Sequence, residues 1–359
     1  MFLKGNNQMT DIENFLSIAK RRGYERVPVD FVACPLIRQK FNEYVKETGF
    51  EFKPSFVNIP DLPSVNASTE TFLKYYSHGF KDGTSIDKYG VAHEPGSKYA
   101  FHMTKMYHPM AELDSIEQIY AYPLPDYKNA DPSAQIAAVR RAHENDTVAM
   151  GNMQCTVWET AWYMRGMENL MTDMMMDDPI AEAILDRVTD ISVLRAESYA
   201  KSGVDVLFLG DDIGMQKTIM MSESLYCEWL KPRLKKVIDA AKAINPELVV
   251  FYHSCGFVTP MIPHLLDAGI DVLDPIQPEC MDFKEIHDMY GDRLSFHGTI
   301  GTQSTMPFGT PEDVRREVFK NLDIAGEKGG LLVSPTHMLE PEVPIENLIA
   351  YINACRDYK

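Results

Sequence analysis

Eight short apolar runs, set apart by longer amphipathic stretches, constrain this chain more than any other feature. Each is too short to be an independent helix and is apolar almost throughout. Strands of a parallel sheet read this way, because helices cover them and both of their faces are buried. The runs are 26–33 (RVPVDFVA), a less apolar one at 84–91, 147–153 (TVAMGNM), 204–211 (VDVLFLGD), 248–255 (LVVFYHSC), 270–275 (IDVLDP), 294–300 (LSFHGTI) and 330–335 (GLLVSP), with the most regular spacing in the second half. Between them, 223–243 carries Leu225, Trp229, Leu230, Leu234, Val237 and Ile238 at helical spacing, and 171–199 reads the same way.

Alternating strands and helices define an α/β chain. The polar residues of the runs select among α/β architectures, because they stand at the C-terminal ends: Asp211 and Asp212, His253 and Cys255, His297, and Thr336 with His337. A (β/α)8 TIM barrel brings those ends to one mouth, where four separated pieces of sequence would form one site. With 359 residues, 45% of them hydrophobic, the chain has enough apolar material for one large core, and no repeat or low-complexity linker divides it. The expectation is a single barrel domain over 1–359. The more polar, Pro-rich stretch 55–131 is expected to form loops and short helices, an N-terminal extension over the mouth.

His253 and Cys255 are two apart on a strand, so both point to one face and can reach one ion. Imidazole and thiolate form a zinc-type pair, and a catalytic zinc typically takes three protein ligands and leaves one position open. The competing reading is a small buried thiol beside a hydrogen-bonded core histidine. His337, and Gln277 or Cys280 in PIQPEC, are the candidates to complete the set; Cys280 reads more simply as a loop residue. Adjacent carboxylates at a strand end point different ways. One of Asp211 and Asp212 would therefore face the mouth as an acid, a base or the partner of a ligand histidine, while the other caps the next helix. His297 ends an apolar run and precedes Gly298, which permits close approach. The catalytic candidates are thus Asp211, Asp212 and His297, and the metal candidates His253, Cys255, His337 and Gln277.

Other signals are plainer. The methionine-rich run 164–178 reads as a pliable helix face, and Trp158 and Trp162 as a helix stripe. There is no glycine-rich dinucleotide motif after a strand, no P-loop and no nucleophile elbow. A formal charge of −17 argues against nucleic acid. The opening residues lack the layout of a secretory signal and no stretch is apolar for long enough to span a membrane, so a cytoplasmic protein without membrane association is expected. Six scattered cysteines predict free thiols rather than a disulfide framework.

The segments ENLMTDMMMDDP, DVLFLGDDIGMQ, FYHSCG, LLDAGIDVLDPIQPECMD, YGDRLSFHGTIGTQSTMPFGTPEDVRREV and EPEVPIENL, with DKYGVAHEP near Asp87, together resemble the uroporphyrinogen decarboxylase superfamily. That resemblance implies the barrel and one of two chemistries. The name-giving decarboxylases use arginines and an aspartate in an early R-Q-A-G-R-type segment; the matching VPVDFVACPLIRQK offers Arg38 alone. The corrinoid-dependent methyltransferases resemble this chain in carrying H-x-C on a barrel strand and a later ligand near the last strand. In the thiol methyltransferases the later ligand is a cysteine in a P-G-C-G-type segment, and the P-T-H-M here puts His337 at that position. The resemblance thus implies Zn2+ as cofactor and a corrinoid protein carrying cobalamin as partner. Its small-molecule substrate would be a methyl donor or acceptor, a methoxylated compound or thiol, and a homodimer would be compatible. A histidine in place of the thiolate makes the metal more electrophilic, which favours polarising an ether or alcohol oxygen. The runner-up is a cofactor-free decarboxylase that holds a carboxylate with Arg38, Arg165 or another arginine at the mouth.

Overall fold

The computed structural model of the chain describes residues 8–96 and 105–358. Its strands are β1 (Phe56–Ile59), β2 (Ser85–Ile86), β3 (Ala92–His93), β4 (Met106–Tyr107), β5 (Val148–Gln154), β6 (Val206–Gly210), β7 (Val249–His253), β8 (Val272–Asp274), β9 (Ser295–His297) and β10 (Leu331–Leu332). Seven of them form one parallel, curled sheet in the order β1-β5-β6-β7-β8-β9-β10. β2, β3 and β4 make a separate antiparallel sheet.

The near-continuous apolar reading of the strands follows from burial on both faces. One set of side chains, including Val148, Met150, Val206, Val249, Phe251, Val272 and Leu332, packs within the curl of the sheet. The alternate set, including Ala149, Leu207, Val250, Leu273 and Phe296, packs beneath the covering helices. The inner cluster also takes in Phe15, Ile18 and Ala19 of the N-terminal helix Asp11–Ala19, and Phe15 stacks on Phe251 with ring centroids 6.2 Å apart. This helix therefore closes the end of the sheet where the strands begin. Its apolar face matches the apolar strand starts and not the polar strand ends.

Six of the expected strands stand where the sequence placed them, from 147–153 through 330–335, with β6 to β10 shorter than the runs that announce them. Two expectations are corrected. The run 84–91 contributes only to the small sheet, and the strand beside β5 is β1, in a part of 55–131 where no strand was expected. Residues 26–33 form no ladder, but they run between β1 and the segment after β10. Ser55 N–H donates to Val29 O, while Leu339 N–H donates to Val32 O and Cys34 N–H to Leu339 O.

The helical stretch expected over 171–199 breaks in two at Met176–Asp178, where Asp178 caps Pro179–Ser202 by accepting from Ile180 N–H. All six cysteines are free. Among the described residues no helix is long and apolar enough to cross a membrane.

Candidate functional site

The C-terminal ends of the strands surround a cavity of about 510 Å³ whose walls include Phe56 and Asn58 of β1, Phe208 of β6, His253 of β7, Asp274 of β8, His297 of β9 and His337. A second cavity of about 330 Å³ lies against it, lined by Cys255, Gln277, Gln216, Glu340 and Glu342 among others. Asp212, Thr336, His337 and Met338 line both.

Strand register assembles the centre of the site. β7 and β8 pair His253 with Asp274, and β8 and β9 pair Leu273 with Phe296, so His297 comes next to Asp274 on its other side. His253 Nδ1 lies 2.5 Å from Asp274 Oδ2, and His297 Nδ1 lies 2.5 Å from Asp274 Oδ1. His297 Nε2 lies 3.0 Å from Asp30 Oδ1, which also accepts from Ser334 Oγ. The result is a buried chain, Asp30, His297, Asp274, His253, that alternates acid and base across four segments of the sequence.

Burial disfavours charge on His297, Asp274 and His253, yet the attraction of their neighbours outweighs it. His297, facing Asp30 and Asp274, is raised to about 10, and the two histidines hold Asp274 well below the usual carboxylate range. Burial likewise opposes a charged His253, but Cys255 and Asp274 push its imidazole well above the ordinary value. The Cys255 thiol itself is pushed up by burial, against the pull of His253.

The free edge of His253 faces the open side. Its Nε2 is 3.3 Å from Cys255 Sγ and 3.9 Å from Asp212 Oδ1, and one ligand atom from each of Asp212, His253 and Cys255 falls within 4.8 Å of the others. Among the described residues no other group of three acidic, histidine or cysteine side chains is so disposed. Nitrogen, sulfur and oxygen donors in this number suit zinc. Tetrahedral bonds of roughly 2.3 Å to sulfur and 2.0 Å to nitrogen would separate those two atoms by about 3.5 Å, close to what is seen. A ligand histidine normally gives its other nitrogen to a carboxylate, and Asp274 supplies one. The residues present therefore fit the ion.

The sequence candidates divide as follows. His253 and Cys255 come together as expected, although β7 ends at His253 and Cys255 stands in the following loop. Asp212 faces the cavity, its Oδ1 accepting from Cys255 N–H at 2.7 Å. Asp211 turns away and accepts from Val157 N–H and Glu159 N–H at the start of the helix Trp158–Arg165. Burial and the Glu159 charge keep its carboxyl well above the usual range. One aspartate thus faces the mouth, and the expectation that the other caps the next helix is corrected: Asp211 caps the helix Trp158–Arg165, which precedes the pair in sequence.

His337 lines both cavities with its ring centroid 6.4 Å from that of His253, outside the close donor group. Gln277 Oε1 accepts from Gly256 N–H at 3.0 Å and so braces the turn after Cys255. Cys280 sits 3.5 Å from Gln216 Oε1 and lines neither cavity. Arg165 is committed to Asp173 and to the carbonyls of Met110 and Leu113, and Arg38 lines a surface groove on the helix Pro35–Thr48. Neither arginine reaches the mouth.

Sequence reasoning missed Asp30, Asp274 and Glu159. Asp274 ends an apolar run, as the chosen candidates do, and Asp30 is a charge inside one; both signals were readable. Glu159 carried none, because only folding brings the helix Trp158–Arg165 to the cavity. There Tyr163 Oη donates to Glu159 Oε1 at 2.8 Å, Asp212 N–H donates to Glu159 Oε2, and burial with the Asp212 charge pushes the Glu159 carboxyl up.

A parallel α/β sheet with its polar cluster at the strand ends defines a class of proteins whose sites form at that face. The model of one family, uroporphyrinogen decarboxylase (URO-D), matches residues 85–358, and the chain belongs to that family. It is 28% identical over 207 residues to a methylated-thiol:coenzyme M methyltransferase of Methanosarcina mazei, covering 55% of this chain and 50% of the relative. It is 25% identical over 187 residues to a methylcobamide:CoM methyltransferase of Methanosarcina acetivorans, covering 52% of each. A uroporphyrinogen decarboxylase of Chlorobium luteolum is 25% identical over 181 residues, covering 49% of this chain and 48% of the relative. The chain thus spans about half the length of the curated relatives it matches. Among solved structures, a methyltransferase from Methanosarcina mazei shares the fold, with a TM-score of 0.68 at 18% identity over 97% of this chain and 98% of that one.

Proposed function

We propose that this protein is a zinc-dependent methyltransferase that moves a methyl group between a small substrate and the cobalamin of a corrinoid partner protein. The observation that carries the reading is the Asp212, His253 and Cys255 donor group within 4.8 Å, backed by Asp274, at the junction of two cavities. Family membership and the two methyltransferase relatives support it. The reading takes the chain as one domain whose sheet closes into an eight-stranded barrel, with the segment around Val29–Cys34 as the eighth member.

His253 and Cys255 hold the ion in this reading, with Asp212 as the nearest third donor and His337 across the cavity able to join them. A zinc ion there supplies Lewis acidity to the substrate heteroatom. The chain's own residues do the rest. Asp274 fixes the His253 ring so that Nε2 faces the cavity, and His297 and Asp30 hold Asp274 in turn. Phe56, Met150 and Phe208 give the larger cavity an apolar wall that keeps water from a bound methyl group. Glu159 and Tyr163, hydrogen-bonded to each other at the cavity wall, can take up or return a proton at the carboxyl oxygen. An O-methyl substrate is the form that suits a histidine-containing site. The decarboxylase alternative has less support from the site, since Arg38 and Arg165, its two named carboxylate-holding candidates, lie elsewhere.

Metal analysis of the purified chain tests the reading. About one zinc per chain is expected, lost in His253→Ala and Cys255→Ser. Asp212→Asn and His337→Ala decide the third ligand, because only the variant of the true ligand should lose the ion. A wild-type protein with far less than one zinc per chain sinks the proposal.

A further inference from the structure

We infer that Cys227 is a nucleophilic thiol, activated by His264 and Glu223, and that it is a modification site at which small-molecule disulfides form a mixed disulfide with the protein. Two helical segments of the outer layer meet there. One, Glu223–Leu225, continues through a π-helical turn, Tyr226–Leu230, into the helix Lys231–Ile244; the other is the helix Ile262–Ala268. Cys227 Sγ lies 3.3 Å from His264 Nδ1, and His264 Nε2 lies 3.0 Å from Glu223 Oε2. A carboxylate oxygen only accepts, so the Glu223 contact puts the ring proton on Nε2 and leaves the Nδ1 lone pair facing the thiol. A nucleophile, a base within reach of it and a third group that orients the base form the arrangement that activates a side chain for attack.

Glu223 and Cys227, four apart, stand on one face of their segment, so a single imidazole spans both. The π-turn that carries Cys227 is a rare departure from α-helical geometry and is frequent at functional positions. Tyr226, buried with its ring centroid 6.4 Å from that of His264, walls the inner side. The outer side is open: Cys227 is half-buried, and the His264 and Glu223 side chains are 23% and 54% exposed. Lys231 and Asp267, the charges next along these two segments, pair with each other at 3.0 Å.

A thiol attacks as its thiolate. His264 Nδ1 takes the Cys227 proton while Sγ attacks one sulfur of the disulfide. The old S–S bond breaks as the new one forms, and the departing thiolate receives the proton from the imidazolium. The disulfide is itself the oxidant, and one equivalent of small thiol is released.

The test treats the full chain with bis(2-hydroxyethyl) disulfide, an uncharged probe, and follows each cysteine by peptide mass spectrometry. Cys280 is the internal control: it is half-buried like Cys227, but its sulfur faces the Gln216 amide oxygen at 3.5 Å, which is no base. Cys227 is expected to react at least about tenfold faster than Cys280. His264→Asn should slow Cys227 by about tenfold and Glu223→Gln by about threefold, with the Cys280 rate unchanged in both as the sign of an intact fold. A Cys227 rate no greater than that of Cys280 in the unaltered protein overturns the inference. So does an unchanged or higher rate in His264→Asn, the result for a thiol that the histidine merely shields. Glu223 is exposed and its replacement spares the fold, so an unchanged rate in Glu223→Gln overturns the assignment of these residues as one relay.

Discussion

At the scale of single residues, the site is organised by a carboxylate that no motif announces. Asp274 receives both histidines, one on each oxygen, and Asp30 completes the chain behind His297. His297, a catalytic candidate from sequence, stands between two acids, one on each ring nitrogen, and is 8% exposed. Its effect on stability has a definite sign. The folded value of about 10 lies above the unfolded value of roughly 6.5, so the stabilisation is fully present below about pH 6.5 and is lost as pH rises toward 10. His297→Gln in metal-free protein should cost about 3–5 kcal/mol near neutral pH, because it leaves Asp30 and Asp274 facing each other without the cation. The cost should shrink toward pH 10, as read from urea midpoints at pH 6, 8 and 10; a cost independent of pH would remove the ion-pair account. His253, Cys255 and Asp212 were legible as residue types at strand ends. Asp274 was legible by the same rule and was passed over for residues with more conspicuous chemistry.

At the scale of elements, parallel strands were readable where both faces are buried, since β5 to β10 are apolar along most of their length, with polar residues mainly at their ends. β1 escaped because its four residues, FVNI, are half exposed and lie in a polar, Pro-rich setting. The run 84–91 misled because its few apolar residues serve a small antiparallel sheet. Register then decides function: with the period of a strand fixed at two, only the observed β7–β8 pairing sets Asp274 against His253. The aspartate pair shows how adjacent residues on one strand end separate into two jobs. Asp211→Ala should cost about 1–2 kcal/mol, because Val157 N–H and Glu159 N–H lose their acceptor at the start of the helix Trp158–Arg165. Zinc content should stay unchanged. Loss of zinc in that variant, with the fold intact by circular dichroism, would contradict the separation of roles.

At the scale of the whole molecule, the seam between residues 26–34, β1 and the segment after β10 is held differently from the rest of the sheet. Side chains do part of the work there: Tyr351 Oη donates to Asp30 O, and Ser334 Oγ bonds Asp30. Single backbone bonds at Ser55, Cys34 and Leu339 replace a ladder. Amide hydrogen exchange should accordingly be slowest in β6 and β7 and clearly faster at Cys34, Ser55 and Leu339. Equal protection at the seam and in β7 would show that side-chain closure is as strong as a continuous ladder.

Local composition alone determined the α/β class, the position of six strands, the family resemblance and the presence of His253, Cys255 and Asp212 at strand ends. These depend on burial patterns and residue chemistry that are local in the chain. Tertiary structure alone decided that Asp30, His297, Asp274 and His253 form one chain, and that Asp212 joins His253 and Cys255 in the close donor group while His337 stands outside it. Each of these is a contact between segments tens to hundreds of residues apart, fixed by strand register and sheet curvature, which no local pattern encodes.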